Sequence, residues 1–255
     1  MGKIVSITNQ KGGVGKTTTA INLGASIAHL GFSVLLIDMD AQGNATSGLG
    51  FQKNLDKKNS YEVLLGKTNP QEAIVKLPYQ NFYLIPSHRD MVGAEIELVD
   101  EEKNAYFLQG AISKIHSNFD YIFLDCPPSL GFVTLNALTS ADSVLITLQS
   151  EYFALEGLGE LLGTIERVKQ NFNPFLDLDG VLVTMVDERT NLSSQVIEEV
   201  KIHFKNNVFE NYIPRSIRLA EAPSFGKPVL YYDSKSRGAI AYYNLAKEYI
   251  ERRRK

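Results

Sequence analysis

The 255-residue chain holds one cysteine, Cys126, no tryptophan and four histidines. A lone thiol forms no disulfide framework, and with scattered histidines it leaves no zinc-ligand spacing. It also falls short of the thiolates that an iron–sulfur cluster needs. No apolar run approaches the ~20 residues of a membrane span. Met1 runs into a strand pattern without a signal peptide, so a cytoplasmic protein is expected. The 19 Gly and 9 Pro are ordinary numbers, and 44% hydrophobic with 22% charged residues excludes disordered and fibrous classes. What is present suffices for a core: at this length about 75% of the unfolded surface is buried without staples.

The formal net charge of −3 argues against a nucleic-acid binder when taken as an average. The distribution is uneven. Residues 1–180 carry 13 Lys and Arg against 20 Asp and Glu, whereas residues 181–255 carry 13 against 9. A local basic face on an acidic protein is compatible with that split.

Short apolar runs alternate with longer helical stretches. Strands are expected at Ile4–Thr8, Val34–Ile37, Phe82–Ile85, Tyr121–Leu124, Val144–Leu148 and Val181–Val186. Helices are expected at Thr17–Leu30 and near 104–116, 154–171, 192–205 and 238–253. Continuous apolar strands imply burial on both faces, hence a mostly parallel sheet between helix layers. Strand–helix alternation of this kind gives a doubly wound α/β fold. The polar run Gln52–Asn59 reads as a surface loop, and with no linker in evidence residues 1–255 read as one domain.

The strongest signal follows the first strand: Gln10-Lys11-Gly12-Gly13-Val14-Gly15-Lys16-Thr17-Thr18, then a helix. A strand end, a glycine loop and a helix N-terminus aim several backbone N–H groups at one anion. The glycines allow positive φ and a close approach of main chain to polyphosphate. Lys16 would reach the β- and γ-phosphates and the Thr17 hydroxyl would ligate Mg²⁺. The loop departs from G-x-x-x-x-G-K-[ST] by placing Gln10 at the first glycine and adding Lys11.

These residues resemble the deviant Walker A motif of the ParA/MinD/nitrogenase-iron-protein group of P-loop ATPases. Ile37-Asp38-Met39-Asp40-Ala41-Gln42-Gly43-Asn44-Ala45-Thr46 resembles that group's second acidic motif, with Ala41 where proline is frequent. Leu124-Asp125-Cys126-Pro127-Pro128 resembles its Walker B run. The likeness runs nearly end to end and is nearest to the ParA (Soj) chromosome-partitioning subfamily.

The resemblance implies ATP and Mg²⁺ as cofactors. Lys11, Gly12, Gly13, Val14, Gly15, Lys16, Thr17 and Thr18 would form the nucleotide-binding loop. It implies that Thr17 and Asp125 serve the metal, Asp125 through water, and that Asp38 supports that site. Asp40 would orient the attacking water. An aspartate ending a strand is also a common turn or capping residue, and three at motif positions outweigh that reading. Lys11 would cross a twofold interface to the partner's phosphates, so that ATP closes a sandwich homodimer. No N-K-x-D run for guanine occurs. Tyr212-Ile213-Pro214-Arg215-Ser216 resembles the family's adenine-side loop, which puts Pro214 and Ser216 near the base; Met185 would pack on the ring or in the core.

Arg189, Arg215, Arg218, Lys227, Lys235 and Arg237 supply much of the positive charge in the last third. The resemblance implies nonspecific DNA binding by a dimer surface, with Arg189, Arg218 and Lys227 as contacts and a nucleoid-associated location. A solvated surface with scattered ion pairs is the alternative. The implied partner is a ParB-like centromere-binding protein that speeds slow hydrolysis. A MinD-like membrane cycle would need a detached amphipathic C-terminal helix. Here Ala239, Ile240, Tyr243, Ala246, Tyr249 and Ile250 form a stripe directly after Gly238, which favours a docked helix. A nucleotide-gated scaffold that scarcely hydrolyses ATP is the non-enzymatic reading.

Overall fold

The computed structural model describes residues 2–52, 58–99, 104–151 and 156–254. Its strands are β1 (Lys3–Thr8), β2 (Val34–Asp38), β3 (Val75–Lys76), β4 (Phe82–Ile85), β5 (Tyr121–Asp125), β6 (Ser143–Gln149) and β7 (Asp177–Thr184). The helices among the described residues are α1 (Lys16–His29), α2 (Asn44–Gly48), α3 (Ser60–Leu64), α4 (Pro70–Ala73), α5 (Met91–Glu97) and α6 (Phe107–Ile112). They continue as α7 (Phe132–Ser140), α8 (Glu156–Asn171), α9 (Asn191–Phe204), α10 (Ile217–Glu221), α11 (Val229–Tyr232) and α12 (Arg237–Arg254).

All seven strands join one sheet in the order β3-β4-β2-β5-β1-β6-β7. Every pairing is parallel except β3 with β4. The doubly wound α/β expectation therefore holds. The residues of β2 and β5 are all buried, as continuous apolar runs require when helices cover both faces. One core cluster joins α1 and α12 to one face, through Leu23, Ile27, Tyr242 and Tyr249. Two others cover the opposite face, around Ile122 and Leu124 on one half and Val144 and Ile146 on the other.

Three differences from the sequence reading have local causes. The two-residue β3 is too short to carry a period and is defined only by its partner β4. The expected helix over 104–116 shortens to α6 followed by a 3₁₀ turn at His116–Asn118. β7 begins four residues earlier than expected and stops at Thr184, because Met185 takes a left-handed φ of 53°. The expected loop at 52–59 and the start of the expected helix at 154 fall largely outside the described residues.

The C-terminal helix is docked. Its buried stripe is Ala239, Tyr242, Leu245, Ala246, Tyr249 and Ile250, while Ile240 is half exposed. Tyr242 thus replaces Tyr243 in the stripe, and its hydroxyl meets Thr19 of α1 at 3.0 Å. No helix among the described residues is long and apolar enough to cross a membrane.

Candidate functional site

β1 lies between β5 and β6, so strand order reverses on either side of it. Ligands of open α/β sheets bind at such a crevice, beyond the carboxyl ends of the strands. The loop after β1 stands there. Gly13 and Gly15 take φ of 76° and 87°, a region that side chains disfavour. Gly15 then starts α1, leaving its first N–H groups for an anion.

Several side chains hold the loop. Asn9, buried, donates from Nδ2 to the Thr147 carbonyl at 2.6 Å and accepts from the Lys11 N–H at 2.9 Å. Thr184 donates to the Val14 carbonyl at 2.9 Å. The Val14 side chain packs into the interior, so only its main chain is available to a ligand. Lys16 is 7% exposed and donates from Nζ to the Lys11 carbonyl at 3.0 Å. Burial pulls its ammonium pKa down, opposed by the nearby charges of Asp125 and Asp40.

A cleft of 510 Å³ opens over this loop. Gly12, Gly13, Gly15, Lys16, Thr17 and Thr18 form its floor. Asp40, Gln42, Asn44 and Ser47 form one wall, and Met185, Pro223 and Lys227 also line it. Lys11 turns away from the cleft to Glu151, at 3.0 Å.

The carboxylates have different duties. Asp38 and Asp125 are paired in register across β2 and β5, and both are fully buried. Oδ2 of Asp38 accepts from the Thr46 N–H at 2.8 Å and from its hydroxyl at 2.7 Å. Oδ1 accepts from the Asp40 N–H at 3.2 Å. Burial nevertheless lifts Asp38 to about 6, against those bonds. Asp125 is pushed well up, by burial first and then by the neighbouring Asp38 charge. The Thr17 hydroxyl stands near enough to oppose this. Even so, neither Asp125 oxygen has a hydrogen bond of normal geometry among the described residues.

An unpaired buried carboxylate is costly, and a cation or its bound water relieves it. The arrangement fits Mg²⁺, which keeps several waters and takes few protein ligands. Among the described residues no group of three His, Cys, Asp or Glu could cage a metal unaided. Phosphate and water oxygens would have to complete the shell.

A family profile described as an AAA domain matches residues 2–178. The sporulation initiation inhibitor protein Soj of Bacillus subtilis is 52% identical over 248 residues, covering 97% of this chain and 98% of that protein. The chromosome partitioning protein ParA of Myxococcus xanthus is 50% identical over 252 residues, covering 99% and 89%. The chain belongs to the ParA/Soj family of chromosome-partitioning ATPases. A solved structure of cobyrinic acid a,c-diamide synthase from Mycobacterium smegmatis, with bound ADP and magnesium, superimposes with a TM-score of 0.88. It is 37% identical and covers 100% of this chain and 96% of its own.

Other ParA-type residues named from sequence are placed as follows. Pro214 is buried and forms a β-bridge with Val186, next to the cleft-lining Met185. Ser216 precedes α10, and neither Pro214 nor Ser216 lines the cleft. Arg189 is exposed and grips Asp187, with contacts of 2.8 and 2.7 Å. Arg218 pairs with Glu221 at 2.8 Å and with Asp233 at 3.3 Å. Arg237 pairs with Glu188 at 2.7 Å. Lys227 stands apart from these, on the cleft wall.

Sequence reasoning missed three supporting residues. Thr46 lay inside the acidic motif, and a hydroxyl eight residues after a buried aspartate was a usable signal. Asn9 offered a partial one, as an asparagine two residues before the Lys11 N–H it accepts, but its Thr147 partner and the Glu151–Lys11 pair join residues about 140 positions apart.

Proposed function

We propose that this ParA-family chain is a Mg²⁺-dependent ATPase whose ATP-bound form closes into a sandwich homodimer and binds DNA without sequence preference. The bare, buried carboxylate of Asp125 beside Thr17, under a glycine loop that leaves helix N–H groups free, is the observation that carries this. In this reading Lys16 and the loop N–H groups hold the β- and γ-phosphates. When bound, Mg²⁺ would supply charge neutralisation, and Thr17 and Asp125 are the residues that would serve it. Asp38 supports the same region by fixing Thr46 and the start of α2.

Phosphoryl transfer asks for positioning and charge rather than covalent help. Asp40 lines the cleft and orients the attacking water. Lys11 leaves Glu151 and crosses to the partner's phosphates, adding a cation where charge develops. In this reading the adenine lies on the Met185 side of the cleft, next to the Val186–Pro214 bridge and the segment that leads to Ser216. A ParB-like protein accelerates the slow turnover.

DNA affinity follows from multiplicity. If each subunit neutralises two phosphates through residues such as Arg189 and Arg218, a monomer loses roughly 10-fold in affinity between 50 and 200 mM salt. A dimer with four contacts loses on the order of 150-fold. The intramolecular pairs of these arginines are exposed and solvent-screened, hence weak, so phosphate displaces their carboxylates readily. The docked α12 disfavours the MinD-like alternative, which needs that helix free for a membrane.

Size-exclusion chromatography with ATP, ADP or no nucleotide, followed by DNA co-migration, tests the reading. A dimer that forms only with Mg·ATP and carries DNA is expected. A monomer under saturating Mg·ATP in the Asp40→Ala variant refutes the sandwich, and undiminished turnover in that variant removes Asp40 from the mechanism.

A further inference from the structure

We infer that Lys227 is a nucleotide-binding residue of this site, contributing a cation to the phosphates of the ATP or ADP in its own subunit, and not a DNA contact. The inference rests on the ATPase reading above and extends it to the cleft-lining segment that packs against the end of α2.

Position is the first argument. Lys227 lines the same cleft as Gly12 to Thr18, although some 210 residues of chain separate them. The segment that carries it is fixed at both ends. On one side, Gly226 takes φ 63° and lies against Gly50, so closely that a Cβ on Gly226 would stand 2.6 Å from the Gly50 Cα. The Lys227 N–H donates to the Ala222 carbonyl at 3.2 Å. On the other side, Val229 donates its N–H to Asn22 Oδ1 at 2.7 Å. Asn22 in turn donates from Nδ2 to the carbonyl of Thr18 at 2.7 Å. A short run of hydrogen bonds therefore ties the backbone beside Lys227 to the phosphate loop itself. Pro228 follows directly and restricts the Lys227 backbone to extended conformations.

Charge is the second. The arginines of the basic face each hold a carboxylate: Arg189 with Asp187, Arg218 with Glu221 and Asp233, Arg237 with Glu188. No carboxylate lies within ion-pair distance of Lys227 among the described residues. Of the residues lining the cleft, Lys16 and Lys227 are the cations and Asp40 the anion. A tetraanionic nucleotide entering this cleft meets one lysine from the loop and a second from the segment beside α2. An ammonium is a mobile point charge with three donors, suited to phosphate oxygens whose positions shift between ATP and ADP.

The test measures two properties in the full-length protein. Affinities for fluorescent Mg·ATP and Mg·ADP analogues are compared in wild type, Lys227→Gln, Lys227→Arg and Lys16→Ala. Losing a charge-assisted phosphate contact is expected to weaken binding about tenfold in Lys227→Gln, with Lys227→Arg close to wild type. DNA affinity against salt is then measured at saturating ATP in an Asp40→Ala background, and its slope is expected to be the same with and without Lys227→Gln. Wild-type nucleotide affinity in Lys227→Gln overturns the inference. A reduced salt slope accompanying it returns the residue to the DNA face. If Lys16→Ala also binds nucleotide normally, the ATPase reading fails with it; if only Lys227→Gln does, that reading stands.

Discussion

Replacing Glu151 by glutamine should make ATP-driven dimerisation tighter. In the protomer Lys11 Nζ lies 3.0 Å from Glu151 Oε2, and the two side chains are 46% and 49% exposed. Glu151 is itself held, since Gln149 donates to its other oxygen at 2.7 Å. Lys11 must leave this partner before it can reach across a sandwich interface. A half-exposed pair contributes ~1 kcal/mol at most. Each dimer breaks two such pairs by symmetry, so the cost is up to about 2 kcal/mol, or roughly 30-fold in the dimerisation constant.

Sedimentation equilibrium of Asp40→Ala with saturating Mg·ATP, with and without Glu151→Gln, reads that difference directly. At low ionic strength the Glu151→Gln dimer should be tighter by up to ~30-fold. At 1 M salt, where the screening length falls to about 3 Å, the two proteins should converge. Lys11→Ala should lose the dimer whichever residue stands at 151. Equal or weaker dimerisation of Glu151→Gln at low salt would refute the view that this carboxylate competes for Lys11.

Thr46→Val removes a hydroxyl that donates to Asp38 at 2.7 Å and accepts the Ser87 N–H at 2.9 Å. A loss of about 2–3 kcal/mol at pH 7 is expected by urea denaturation. Asp38 is raised from 3.8 to about 6 in the folded chain, which therefore binds more protons than the unfolded chain between those values. Its contribution favours folding at low pH and is lost as pH rises through about 6. Calorimetry at pH 5 and 7.5 should show that this part of the pH dependence disappears in Asp38→Asn, and an unchanged profile would contradict the assignment. Gly226→Ala combines a left-handed φ with the 2.6 Å approach to Gly50, so a loss of about 2 kcal/mol or more is expected in Tm measurements. Cys126 is buried and its thiol is pushed up to about 12. Thiol reagents at pH 8 should label it only at the rate of unfolding, and rapid labelling of the native protein would show the strand end to be open.

The sheet and the phosphate loop were legible because their signals are local. β1, the glycine run and α1 are contiguous, so strand period, turn chemistry and helix start reinforce one another over residues 3–29. The aspartates at 38 and 125 were legible for the same reason, each ending an apolar run. Less legible was how the two differ. Both stand on the same register line of adjacent strands. Yet Asp38 accepts three hydrogen bonds from Thr46 and Asp40, while Asp125 accepts none of normal geometry among the described residues. That asymmetry is created by where α2 begins, a five-residue helix too short to show a period of its own.

Basic residues were the least legible because sequence records charge without direction. Arg189 and Asp187 are two residues apart, a spacing that allows a local pair, although the sequence reading did not single it out. The pairing of Arg218 with Asp233, 15 positions away, was not. Lys227 shows the consequence most sharply. Grouped by sequence with Arg215, Arg218 and Lys235, it joins a positive last third. Grouped by the Gly226–Gly50 contact and the Val229–Asn22–Thr18 chain of hydrogen bonds, it joins the phosphate loop. The same count of positive charges then divides into two sets with opposite demands. In the proposed DNA-binding reading, residues on the outer face would exchange a carboxylate for DNA phosphate, which their exposed ion pairs allow at low cost. A residue facing bound nucleotide gains nothing from such a competitor, and among the described residues none supplies a carboxylate within ion-pair distance of Lys227.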